Sequence, residues 1–129
     1  MIPTVLLLSA FVLGAEDKAK APYFEVAVEK VEIKPGAFNS PTLVIDAKDL
    51  AKLVTDETAR TAIAKQVDFK THKLVIFAWQ GSGQDGIDVA VLESFPEQLV
   101  FTKKPGLTRD LRTHVKVFAI RNDVKYTVK

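Results

Sequence analysis

Between two apolar runs the chain carries Gln80-Gly81-Ser82-Gly83-Gln84-Asp85-Gly86, beside its single tryptophan, Trp79. Glycine lets a ligand or another backbone come close to the main chain, so four readings compete for this loop. A phosphate cradle would need a Lys-Ser/Thr ending and a helix to open, and the loop has neither. A calcium loop would use Asp85 and Asp88, few donors against the roughly six to eight oxygens the ion takes. A partner-binding loop would use Gln80 to Gly86, with Trp79 as a partly accessible aromatic anchor. A plain connection would be a flexible hairpin, with Trp79 in the core and its indole N–H satisfied at the sheet edge.

Other residues with chemical potential are scattered. His72 stands in Lys70-Thr71-His72-Lys73, a turn in which the lysines disfavour a metal or an imidazolium. His114 falls on a strand, and both histidines read as solvated polar residues. Ser82 does not sit in a G-x-S-x-G elbow. Asp46, Asp49, Asp56 and Glu57 read as helix starts, where carboxylates favour the helix dipole. Asp85, Asp88 and Asp110 form no evident acid/base pair. No catalytic residue, cofactor or metal is therefore expected.

Composition narrows the classes further. The chain has 129 residues, 47% hydrophobic and 26% charged, with no cysteine. A packed core is feasible. Disulfides, thiolate metal sites, a cysteine nucleophile and a lipid-modified cysteine are excluded. The net charge is +2, too small to mark a nucleic-acid binder. It is unevenly divided: Lys103–Lys129 has eight basic and two acidic residues, 8 − 2 = +6, and Glu16–Thr102 has ten basic and fourteen acidic, 10 − 14 = −4. A basic end could meet an anionic ligand or envelope polymer. Alternatively, Lys116, Arg121, Lys125 and Lys129 protect strand edges from aggregation.

The elements that must position these residues are mostly strands. Val5–Gly14 (VLLLSAFVLG) is apolar, followed by Ala15 and the polar Glu16-Asp17-Lys18, the layout of a signal peptide cleaved after Ala15. Residues 16–129 then form one exported domain, periplasmic or extracellular, with no membrane span. Phe24, Val26 and Val28 alternate in one phase and Val31 and Ile33 in the other, which predicts a β-bulge near Glu29-Lys30. Lys34-Pro35-Gly36 reads as a turn, and Leu43-Val44-Ile45 as a short strand. Asp46 is a predicted N-cap for one helix, and Thr55-Asp56-Glu57 a candidate restart for a second. Leu74–Trp79 is a central strand covered on both faces. Strands follow at Ile87–Leu92, Gln98–Thr102 and Thr113–Ile120, with a polar loop at Lys103–Asp110. Asn122-Asp123 is a predicted hairpin turn into Val124–Val128. The fold class is α+β: one or two helices on a mainly antiparallel sheet or small open barrel.

Leu43-Val44-Ile45, the helix from Asp46, Val67-Asp68-Phe69-Lys70, Leu74–Trp79, the glycine loop and Ile87-Asp88-Val89 follow in a telling order. It resembles the C-terminal domain of PrcB-like proteins, bacterial exported proteins named for a subunit that stabilises a surface protease complex. Thr113-His114-Val115-Lys116-Val117 is similar to that family's late strand, so the resemblance spans about residues 42–121. The family's glycine turn continues into an aromatic, where this chain has Asp85-Gly86-Ile87. The resemblance implies a non-enzymatic interaction domain whose partner is another exported protein, an extracytoplasmic protease or envelope complex.

Overall fold

The computed structural model describes residues 21–29, 31–94 and 96–129. The expected leader at 1–15 lies outside them. Among the described residues, seven strands and two helices follow in the order β1 (Tyr23–Val26), β2 (Thr42–Val44), α1 (Ala47–Leu53), α2 (Glu57–Ala64), β3 (His72–Gly81), β4 (Gly86–Leu92), β5 (Gln98–Lys104), β6 (Arg112–Arg121) and β7 (Lys125–Val128). They build two sheets, β1-β6-β3-β2 and β4-β5-β7. The larger sheet is antiparallel throughout, whereas β5 and β7 run parallel. The fold is α+β, and neither sheet closes into a barrel.

The central pair explains the layering. β3 and β6 pair over ten residues, from His72 opposite Arg121 to Gly81 opposite Arg112. Side chains alternate across a strand, so β3 serves two cores. Leu74 and Ile76 join Val26, Val44, Leu50, Ile63, Val117 and Ala119 beneath the helices. Val75, Phe77 and Trp79 join Leu99, Phe101, Phe118, Ile120 and Val124 between the two sheets. The continuous apolar run Leu74–Trp79 is the sequence mark of that double burial. β6 does the same in its second half: Val117 to Ile120 are all buried, Val117 and Ala119 in the helix-side core and Phe118 and Ile120 in the core between the sheets.

Both helices begin as the sequence predicts. The Asp46 carboxylate accepts from the Asp49 N–H at 2.8 Å, and the Asp56 carboxylate from the Ala59 N–H at 3.1 Å. Asp49 also accepts from the N–H of Ile45, the residue before the cap, at 3.4 Å. The helix breaks at Val54, whose backbone is extended and whose N–H still bonds the Leu50 carbonyl. Val54 is buried, so the break tucks an apolar side chain inward before α2 starts.

Several expectations are corrected. β1 stops at Val26, and Val31–Ile33 is not a strand, so no bulge joins the two phases; Lys30 itself lies outside the described residues. The Gln66 side-chain amide instead takes over strand-like pairing with Ala27, accepting from its N–H at 2.9 Å and donating to its carbonyl at 2.8 Å. Lys34-Pro35-Gly36 is not a turn. Gly36 lies along β3, donating to the Ala78 carbonyl at 2.8 Å, and the turn falls at Phe38-Asn39. The short β2 leaves that stretch of β3 open, and the chain passes over it to stack Phe38 on Phe77. Asn122-Asp123 does form a turn, but no hairpin: β7 joins the other sheet, and the buried Val124 turns the corner. Arg121 ties that corner to Glu97 on the β4–β5 connection, and to Asp123 at 3.3 Å. Lys116 and Arg121 lie on β6, an inner strand, so they do not guard an edge; of the four basic residues so read, only Lys125 stands within an edge strand. His72 is buried as the first residue of β3, its Nδ1 2.7 Å from the Thr71 hydroxyl and its ring against Phe24.

The helix-side core sets a stability test. Leu50→Ala removes a fully buried side chain and is expected to cost about 2–5 kcal/mol. Ile45→Ala, at an exposed neighbour, is expected to change stability by about 0.5 kcal/mol or less. Urea unfolding followed by Trp79 fluorescence measures both.

Candidate functional site

Two connections cross between the sheets at the same end of the molecule. One runs from β3 to β4 through Ser82–Asp85; the other runs from β5 to β6 through Pro105–Leu111. The first is the glycine loop, shortened because β3 takes in Gln80 and Gly81 and β4 begins at Gly86. The two connections are laced together. Gly83 N–H donates to Asp110 Oδ1 at 3.0 Å, Gly106 N–H to Asp85 Oδ1 at 2.7 Å, and Leu107 N–H to Gln84 Oε1 at 3.4 Å. The Ser82 and Thr108 hydroxyls meet at 2.5 Å. A loop bonded in this way is not a free hairpin connection.

Asp85 is the centre of the lacing. Its side chain is only 3% exposed, and a buried carboxylate needs donors on its oxygens. It has the Gly106 N–H on one oxygen. On the other it has the Trp79 indole N–H at 3.1 Å and the Lys103 ammonium at 3.6 Å. The Gly106 bond, then Trp79, Lys103 and His114, holds its pKa below the usual carboxylate value against the opposing effect of burial. Asp110 is held low as well, by Thr108 first and then by the Gly83 N–H and Arg112. Asp85 thus has no oxygen left without a protein donor, and Asp88 is exposed on β4. The calcium reading lacks its ligands, and among the described residues no three His, Cys, Asp or Glu side chains gather as a metal site.

Trp79 is 1% exposed, so it is not an accessible anchor. It lies edge-on to Phe38 at 5.3 Å and is stacked on the His114 ring at 4.9 Å. His114 is half-buried rather than solvated, and its Nε2–H donates to the Ser82 carbonyl at 2.7 Å. Of the predicted loop residues, Gln80, Gly83 and Gln84 are exposed, and Gly81, Ser82, Asp85 and Gly86 are partly covered.

Three of the glycines leave space that a side chain would fill. A Cβ on Gly81 would fall 2.0 Å from Asp85 Oδ2, one on Gly83 2.4 Å from Asp110 Oδ2, and one on Gly106 2.6 Å from the Gln84 backbone. A Cβ on Gly86 meets nothing within 4 Å.

The surface that sequence reasoning missed belongs to the second connection. Leu107 is 93% exposed and Leu111 is 72% exposed, the first within the Lys103–Asp110 stretch read as merely polar and the second just after it. Arg109 lies between them and Arg112 follows Leu111, both exposed, with Arg112 paired to Asp110 at 2.7 Å. The available signal was a pair of leucines, four residues apart, in a loop with no helical or strand period to bury them. Comparison with protein-family models, with curated proteins and with solved structures gives no match to this chain.

Two expected outcomes follow from the lacing. Gly81→Ala is expected to displace Asp85 and lower the urea midpoint, with the Trp79 emission moving to the red. Gly86→Ala should leave both unchanged. The second concerns acid. Asp85 and Asp110 have folded-state pKa values below their unfolded ones, so their stabilisation is complete above the unfolded value of about 3.9 and is lost as pH falls through the folded values. Urea midpoints taken from pH 6 to pH 2 should therefore fall below about pH 4. Asp85→Asn should start lower at pH 6 and fall less.

Proposed function

We propose that the chain is an exported, non-enzymatic protein-interaction domain. The observation that carries this reading is the exposure of Leu107 and Leu111 on a connection tied to the glycine loop through Gly106, Leu107, Thr108 and Asp110. Large apolar side chains held out on an ordered loop cost solubility, and they contribute binding energy when a partner covers them. Little ordering entropy remains to be lost on binding. The glycine loop acts as the scaffold, and the Pro105–Leu111 connection as the contact. Arg109 between the leucines favours a partner with an apolar pocket rimmed by a carboxylate. The resemblance to PrcB-like proteins supports a protease or envelope complex as that partner, and the apolar leader supports export. Among the described residues no helix is long and apolar enough to cross a membrane.

The anionic-ligand alternative draws less support. Of the eight basic residues from Lys103 onward, Lys103, Arg112, Lys116 and Arg121 are engaged in ion pairs. The others are spread out, with Lys125 at one end of β7 and Lys129 just past the other.

The test compares the wild type with Leu107→Ser/Leu111→Ser, immobilised and exposed to envelope and secreted extracts. Both leucines are exposed, so the variant should keep the wild-type unfolding midpoint. A protein retained by the wild type through high salt, rebound in purified form, and bound at least about tenfold more weakly by the variant supports the reading. Equal retention by both proteins overturns it. Broad retention lost at high salt overturns it in favour of anion binding. On this reading the mass of the chain recovered from cells starts at Glu16.

A further inference from the structure

The four edge strands differ in their protection. β1 has four residues with Glu25 among them, β2 has three, and β7 has four beginning with Lys125. β4 runs for seven residues, Gly86–Leu92, with no proline, no lysine and one charge, Asp88. It pairs with β5 on one side, and among the described residues no strand pairs on the other. A long, regular, unprotected edge is a template for another extended chain.

A groove of about 580 Å³ lies along this edge, between β4 and β1. Tyr23, Phe24 and Phe118 line one side, and Ile87, Val89 and Val91 the other. The charged residues bordering it are Glu25 and Asp88, both carboxylates; Asp88 alternates with Ile87 and Val89, so its side chain leaves on the other face of β4. Glu25 reaches Lys116 at 3.5 Å; Asp88 is exposed and has no ion pair among the described residues.

We propose that β4 is a strand-addition site for an extended peptide that alternates apolar and basic residues. Its backbone pairs with the outward N–H and C=O groups of β4. Its apolar side chains enter the groove over Val89, Val91 and Phe118. Its basic side chains lie on the opposite face of the sheet, which Asp88, Ala90 and Leu92 share. A second copy of the chain fits less well, because antiparallel pairing of β4 with itself about Val89 sets the two Asp88 carboxylates on a diagonal. This surface is separate from the leucine-bearing connection, and it stands or falls independently of it.

The experiment titrates the full chain, isotopically labelled, with an acetylated and amidated seven-residue peptide alternating lysine and valine, read by amide NMR and hydrogen exchange. Binding is expected to shift β4 resonances and slow exchange at alternate β4 amides. Replacing the peptide's lysines by glutamate should weaken it at least about tenfold, and N-methylating its alternate amides should abolish binding. Asp88→Lys should weaken the lysine peptide about tenfold by turning an attractive cross-strand pair repulsive. Ala90→Lys, on the same exposed face, tests the same point should Asp88→Lys fail to fold. Equal binding of the N-methylated peptide, shifts confined to other strands, no binding at millimolar peptide, or a dimer on sedimentation that the peptide does not dissociate would each overturn the proposal.

Discussion

One carboxylate has to be satisfied where water is nearly excluded, and the end of the sheet sandwich is built around that need. Asp85 comes into cover because the chain must cross from the larger sheet to the smaller one directly above Trp79. An ionised side chain there is tolerable only if every neighbouring donor is fixed. The indole N–H comes from below, the Gly106 N–H from the opposite connection, and the Lys103 ammonium from the end of β5. Satisfying Asp85 therefore also fixes the path of Pro105–Leu111. Gly81 and Gly106 are required for room, and His114 is pressed against the tryptophan.

The opposite end is stitched by the same means. The corner between β6 and β7 is bound to the β4–β5 connection by Arg121 on Glu97 and by the Lys125 N–H on the Glu97 carbonyl. Between the two stitched ends the aromatic core of Phe77, Phe101, Phe118 and Trp79 is filled mainly by edge and tilted ring contacts, the arrangement ring quadrupoles prefer. The helices take no part in it. They cover the other face of the larger sheet, so the molecule has two cores sharing the wall made by β3 and β6.

Much of this was legible in the residues. Asp46 and Asp56 announce their helices because an N-cap acts through a local bond. Leu74–Trp79 announces a doubly buried strand because an unbroken apolar run of that length, bounded by a lysine and a glycine loop, leaves no face for water. Pairing between distant segments was not legible. Nothing in Asn122-Asp123 says that the next strand joins a different sheet, since a turn specifies a change of direction and not a partner. His72 and His114 read as solvated because their cover comes from Phe24 and Trp79, remote in sequence. The glycine loop stands out in the sequence, but its glycines look the same whether they make room for a ligand or for Asp85. The exposed leucines were hidden in and just after a stretch whose average is polar.

The order of pairing along the chain carries a consequence for how it is made. β1 has no partner until β6 arrives, and β3 is flanked on its long side by the same late strand. The smaller sheet waits in the same way for β7, which pairs with β5 only after β6 has been laid down. An emerging chain so wired cannot complete either core from its first half. It stays open until almost all of it has been synthesised, and then closes through contacts of large sequence separation. That delay leaves β1 and the long side of β3 without their partner for as long as the wait lasts.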